Sequence, residues 1–276
     1  LIIAGSWLRI IVLAGMLVAL PLTAVAVALD VSTSGRIDAG RSAAWCAADY
    51  QVNLSRIITG GCTLRPVQPG DLSRGLDERA FWMQMELSNP GSVPLERWIT
   101  VGAPRTEEVS LFYEESAGEW KRLDGGIRTP LSQRHEIVRA YGALPLYLPP
   151  DSQQSIWIRV ASQTAIDLSV TIWAPGEFME ISGRTQFSMT LALGALLIAT
   201  VFSLIAFVLE KEAIHVFLAI SFFGEAIIEA FRSTLLQRYA LPETQAMPVE
   251  LAAIGSFLAV AGFSGFFRSY VPAALR

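Results

Sequence analysis

Charge is scarce in this sequence. Only 17% of its 276 residues are charged, where a soluble domain carries about 25%. With 52% apolar residues and a mean hydropathy of +0.44, the chain reads as part membrane protein and part globular domain. A basic excess is missing too. The net charge of -4 and a pI near 5.3 argue against a nucleic-acid surface. Catalytic signatures are equally absent: the sequence has no glycine-rich phosphate loop opening a helix, no H-E-x-x-H, no C-x-x-C and no G-x-S-x-G. Catalysis by this chain is not expected, nor is a cofactor.

What is present begins with a stretch that lacks charge and proline altogether. Residues 187–209, FSMTLALGALLIATVFSLIAFVL, are long enough as a helix to cross a hydrocarbon core of about 30 Å. A second apolar run covers 214–231 and a third 250–267, joined by short connections, which predicts antiparallel neighbours in a membrane bundle over 185–276. At the other end, residues 1–28 read as a secretory signal peptide. Arg9 precedes an apolar run, and Pro21 with the spaced Ala24, Ala26 and Ala28 suits a cleavage site. An uncleaved N-terminal anchor is the alternative, since residues 10–29 are just long enough to span.

Residues 30–184 are then exported. Counting positive charges beside the spans does not orient the chain, because Lys211, Arg268 and Arg276 face Arg184, Arg232 and Arg238, three against three. The signal peptide decides the orientation, together with the confinement of Cys46 and Cys62 to the exported part, where a disulfide between them is expected. In that orientation His135 and His215 lie on opposite sides of the membrane and share no metal.

The exported segment is patterned as strands. Residues 81–88 alternate, with Phe81, Met83, Met85 and Leu87 on one face, and Asn89-Pro90-Gly91 ends the run as a turn. Further β-rich runs at 98–101, 109–113, 144–148, 156–160 and 168–173 are separated by Pro, Gly and Asn, which predicts an antiparallel sandwich. The same alternation turns Trp82, Trp98, Trp157 and Trp173 away from the core. Aromatic faces stack on sugar rings, so Trp82, Trp98 and Trp157, with Gln84 and Arg159 as hydrogen-bonding neighbours, are candidate ligand-binding residues. Arg139 and Tyr141 are a loop candidate. The competing reading is that these tryptophans cover a sheet, pack under a loop or, for Trp173, meet the membrane interface.

Glu225 and Glu229 stand inside the second span at i and i+4. Carboxylates there cost about 2.5–3.5 kcal/mol at mid-span on insertion scales, so both are expected to face the first and third spans. A structural hydrogen bond from Ser203 or Thr200 is the plainer role for them.

Three pieces in order carry a resemblance. They are Ala80-Phe81-Trp82-Met83-Gln84-Met85-Glu86-Leu87-Ser88-Asn89-Pro90; then Leu146-Tyr147-Leu148-Pro149-Pro150 with Ile156-Trp157-Ile158-Arg159-Val160 and Trp173-Ala174-Pro175; then the helix pair followed by Leu236-Gln237-Arg238-Tyr239-Ala240-Leu241-Pro242. In these the chain, over about residues 67–276, resembles the bacterial seven-transmembrane receptors with diverse intracellular signalling modules. The resemblance implies an all-β extracytoplasmic sandwich, a jelly roll like carbohydrate-binding modules, followed by an α-helical transmembrane bundle, here truncated at three of the seven spans. It implies a sensor in the bacterial inner membrane that binds an extracytoplasmic small molecule, a carbohydrate among the candidates, and relays it through the helices. A cytoplasmic signalling protein or a second copy of the chain would be the partner. Gln84 stands where relatives commonly carry Arg, so no role of that Arg carries over. The alternative is a membrane-anchored assembly or adhesion protein whose sandwich binds another protein.

Overall fold

The computed structural model describes residues 28–33, 35–102, 106–116, 118–138, 142–233, 235, 239 and 247–271. The expected signal peptide, apart from residue 28, and the loop candidates Arg139 and Tyr141 lie outside the described residues.

Fourteen strands form among them: β1 (Leu29–Asp30), β2 (Arg36–Asp38), β3 (Ala44–Ala48), β4 (Arg65–Pro66), β5 (Ser73–Leu76), β6 (Ala80–Asn89), β7 (Leu95–Val101), β8 (Glu108–Ser116), β9 (Glu119–Gly125), β10 (Ile137–Val138), β11 (Gly142–Leu148), β12 (Ser152–Ala161), β13 (Ala165–Asp167) and β14 (Val170–Trp173). One sheet runs in the order β4-β3-β6-β12-β8-β9, with β1 added in parallel to β6; a second runs β10-β11-β7-β14-β2. The alternation in β6 explains its place at the centre of the first sheet. Phe81, Met83, Met85 and Leu87 point inward, as do Ile156, Ile158 and Val160 of β12, and they meet Ile99, Leu144, Leu146, Val170 and Ile172 of the second sheet. Two sheets closing on one apolar layer are a β-sandwich.

The turn after β6 is held by its own side chain. Asn89 is fully buried, and its Nδ2 donates to the carbonyls of Val93 (2.9 Å) and Pro149 (2.8 Å) while its Oδ1 accepts from the Gly91 amide (3.1 Å). One amide thus ties the turn that leaves β6 to the turn that enters β12.

Between β3 and β4 the chain leaves the sheet as a single turn, α1 (Leu54–Arg56), continued by a wide turn over Ile57–Gly61. Asn53 caps it, its Oδ1 accepting from the Arg56 amide at 3.1 Å. The Cys46–Cys62 disulfide, with Cα atoms 6.1 Å apart, pins both ends of this excursion.

Three long helices follow: α2 (Pro175–Glu210), α3 (Ala213–Arg232) and α4 (Met247–Tyr270). Each is long and apolar enough to cross a membrane. The first starts at Pro175 rather than near residue 187, because proline suits a first helical turn and nothing between it and the apolar run breaks the helix. It stops at Lys211, which takes a left-handed conformation (φ 61°) and donates its amide to the Phe207 carbonyl at 2.8 Å.

The crossing of α3 and α4 is close. A Cβ on Gly224 or Gly262 would run into the backbone of the opposite helix, at Ala259 and Gly255 for the first and at Ser221 and Phe217 for the second. Only small residues allow that approach. It corrects the expectation for the intramembrane acids. Gly224 and Ala226 take the inward positions, so Glu225 between them is turned out of the three-helix arrangement. Glu229 is mostly covered and lies 3.7 Å from Nη1 of Arg232. Thr200 and Ser203 give neither acid a hydrogen bond, donating instead to the carbonyls of Leu196 and Ala199 in their own helix.

Candidate ligand-binding face

Strand pairing sets the outer face of the first sheet. Trp82 stands opposite Arg159, and Arg159 opposite Ser110, which pairs with Asp124; in the next row Gln84 stands opposite Trp157, which pairs with Phe112. Trp82, Gln84, Trp157 and Arg159 therefore share one face. Trp98 does not join them, since β7 belongs to the other sheet.

The rings on this face are not open. Trp82 is 0% and Trp157 5% exposed, packed with Phe112 beneath Leu54 and Ile57 of the excursion and beside Cys46 and Ala48. The expectation of an exposed stacking surface is corrected here. Large apolar rings on a sheet are stabilised by excluding water, at about 25 cal/mol per Å² buried, and residues 49–64 fold back to do so. Trp98 and Trp173 are covered in the same manner on the second sheet. Phe178 of α2, 1% exposed, inserts between them edge-on, its centroid 5.3 Å from Trp98 and 6.1 Å from Trp173. Gln84 is half-buried and makes one long contact to Ser155 Oγ at 3.4 Å.

Where the cover ends, the face becomes polar and open. Arg159 Nη1 bonds Glu108 Oε2 at 3.1 Å, and its Nη2 donates to the Tyr50 carbonyl at 2.9 Å. Its guanidinium lies 4.9 Å over the Tyr50 ring, and the Tyr50 hydroxyl donates to Glu108. Desolvation first, then the adjacent Glu108 carboxylate, hold the Tyr50 phenol above its ordinary pKa, so it stays a proton donor at neutral pH. Tyr50 is 44% exposed, the one ring of the group that reaches water.

A groove of about 720 Å³ opens beside this group, lined by Tyr50, Asp77, Glu107, Glu108, Arg128 and Gln163 among others. Arg128 bridges Glu107 Oε2 (2.6 Å) and Gln163 Oε1 (3.1 Å). That bridge leaves Glu107 Oε1, buried, without a hydrogen-bond partner among the described residues. A second depression of about 410 Å³ continues past Glu108 and Arg128 to Ser110, Arg122 and Asp124. Of the described residues read from the sequence, only Arg159 lines this second depression, and none lines the larger groove. Tyr50, Glu107, Glu108 and Arg128 were missed. Alternation does mark Glu108 as outward-facing, two positions before Ser110 with Val109 and Leu111 inside. Its meeting with Arg159 depends on β12 lying between β6 and β8, which no local pattern states.

Residues 49–174 match the family model described as 7TMR-DISM extracellular 2. That segment is a 7TMR-DISM extracellular domain. The match takes in the excursion, the groove and the strands from β4 to β14, and stops where α2 begins. The protein is thus a membrane protein with an extracellular N-terminal domain, followed by three apolar helices. No curated protein matches the chain. Among solved structures it is similar to that of TmCBM61 in complex with beta-1,4-galactotriose, at 12% sequence identity over 47% of this chain and 84% of that one. The TM-score is 0.23, a likeness too slight to bear on the site.

Proposed function

We propose that this chain is the sensing and membrane portion of a bacterial signal-transduction receptor in the inner membrane, and that it binds a polyhydroxylated small molecule of carbohydrate type in the Tyr50–Glu108 groove. It acts by binding rather than by catalysis, and passes the occupied state through α2 to a cytoplasmic signalling protein or a second copy of the chain. The observation that carries the reading is Glu107. A buried carboxylate oxygen with no partner among the described residues, at the wall of an open groove, is matched by a ligand hydroxyl, which donates to it. The neighbouring Asp77, Gln163 and Arg128 add acceptors and donors, and the Tyr50 ring offers a C–H stacking surface. Such a mixture favours sugars over apolar ligands.

The test is a titration of the full chain in nanodiscs with neutral mono- and oligosaccharides, read as thermal stabilisation. A bound sugar at a hundredfold excess over its Kd stabilises by about 2.7 kcal/mol. Tyr50→Ala and Glu107→Gln are each expected to weaken binding at least tenfold. Absence of any saturable stabilisation across the panel, or unchanged binding in both variants, removes the groove as the site.

A further inference from the structure

A second cavity lies away from this groove. It measures about 240 Å³ and sits where the second sheet meets the start of α2, lined by Arg134, Glu136, Thr100, Thr171, Trp173 and Ile181 among others. That is smaller than most drug-sized sites, and it suits a molecule of a few to a dozen heavy atoms.

Its charged pair is incompletely matched. The Arg134 side chain is 3% and that of Glu136 9% exposed. Arg134 uses its Nε on the Thr129 carbonyl at 2.6 Å, but Nη1 stands 4.0 Å from Glu136 Oε2, too far for a hydrogen bond. Its Nη2 has no partner among the described residues. Glu136 is occupied elsewhere, its Oε1 accepting from the Gly126 amide at 2.9 Å. Its carboxyl fits between Gly125 and Gly142, where any Cβ would strike it. Burial also raises the Glu136 pKa, which reduces the negative charge it sets against Arg134. At the rim Arg36 adds an exposed guanidinium, 5.1 Å over the Trp173 ring.

We infer that this cavity is a binding site for a small hydroxylated carboxylate, held end-on by the free Nη1–Nη2 edge of Arg134. A buried guanidinium with an unsatisfied edge is matched by a planar carboxylate, which accepts two parallel N–H bonds. The Thr171 side of the cavity and the Trp173 ring provide the polar and flat surfaces for the remainder of such a molecule. The site differs from the sugar groove in chemistry and in position. Trp173 both lines it and clasps Phe178, so an occupant touches the residue that seats α2 on the sandwich.

The experiment uses the full chain in phosphatidylcholine nanodiscs, which carry no net-anionic lipid. Lactate and glycerate are titrated against the neutral controls propane-1,2-diol and glycerol, with thermal midpoint as readout. At least one carboxylate is expected to raise the midpoint saturably where its neutral counterpart at the same concentration does not. Arg134→Gln should weaken that binding tenfold or more, and Tyr50→Ala should leave it unchanged. Should Arg134→Gln fail to fold, Ile181→Phe decides instead, because it fills the cavity while keeping the charged pair, and it should abolish the effect. The inference is overturned if no carboxylate stabilises the wild type, if Ile181→Phe binds as the wild type does, or if the effect disappears with Tyr50→Ala. That last result would move the carboxylate to the groove without touching the question of sugar binding there.

Discussion

Glu136 shows how one side chain can oppose folding and be kept in place by its neighbours. It is enclosed by Gly125, Gly142 and Gly126, and desolvation holds its pKa above the ordinary 4.5 despite Arg134 nearby. A carboxyl with a raised folded-state pKa binds more protons folded than unfolded between those two values. Stability contributed by Glu136 is therefore lost as pH rises from about 4.5 through the folded pKa. Glu136→Gln removes the titration and keeps an acceptor for the Gly126 amide. Thermal midpoints of the two proteins should lie close together near pH 4 and separate in favour of Glu136→Gln toward pH 8. A difference that stays constant across that range, or that reverses, would show that Arg134 compensates the burial in full.

At the scale of elements, the excursion between β3 and β4 decides whether the first sheet offers aromatic rings or hides them. Its single helical turn has no stability of its own. What holds it is the Cys46–Cys62 bridge at its ends and the seating of Leu54 and Ile57 on Trp82, Phe112 and Trp157. Closing a loop of this length is worth about 3 kcal/mol on chain-entropy grounds. Cys62→Ser should therefore lower unfolding free energy by about that amount and shift tryptophan emission to the red, as Trp82 and Trp157 gain water. Unshifted emission in a destabilised variant would mean the apolar contacts keep the cover closed unaided. The face of β6 was legible beforehand, since Phe81, Met83 and Met85 go in and Trp82 goes out by period two alone. What lay over Trp82 was not, because Leu54 and Ile57 sit in an irregular stretch with no period to read. Phe178 was equally silent: one aromatic in the first turn of a helix whose apolar run begins later. Glu225 was misplaced for a related reason. Helical period groups residues onto a face, but Gly224 and Gly262 determine which face meets a neighbour, and close approach is a property of two helices together.

Across the whole molecule, the sensor and the membrane helices are joined by one continuous element. Helix α2 begins on the sandwich with Phe178 and Ser182 buried, and runs without a break to Glu210. At the level of Gln186 it also meets α3, Nε2 donating to the Ser233 carbonyl at 3.1 Å. The seat of Phe178 is braced: Trp98 Nε1 donates to Glu96 Oε1 at 2.8 Å and Trp173 Nε1 to Thr100 Oγ1 at 2.9 Å, which fixes both indoles that grip it. The cluster formed by these rings is separate from the layer between the two sheets. Phe178→Ala should for that reason leave the sandwich folded while freeing it from the helix. Spin labels at Glu119 on the sandwich and at Leu191 on α2, both exposed, measure the coupling as a distance distribution. The wild type should give one narrow peak, and Phe178→Ala a broad one, with Phe178→Leu between them. Removing a buried phenylalanine costs about 3–5 kcal/mol, enough to populate undocked states. If the alanine variant retains the narrow peak, the backbone of α2 and the turn at Ala174 suffice to fix the domain, and the aromatic clasp is not what couples the sandwich to the helix.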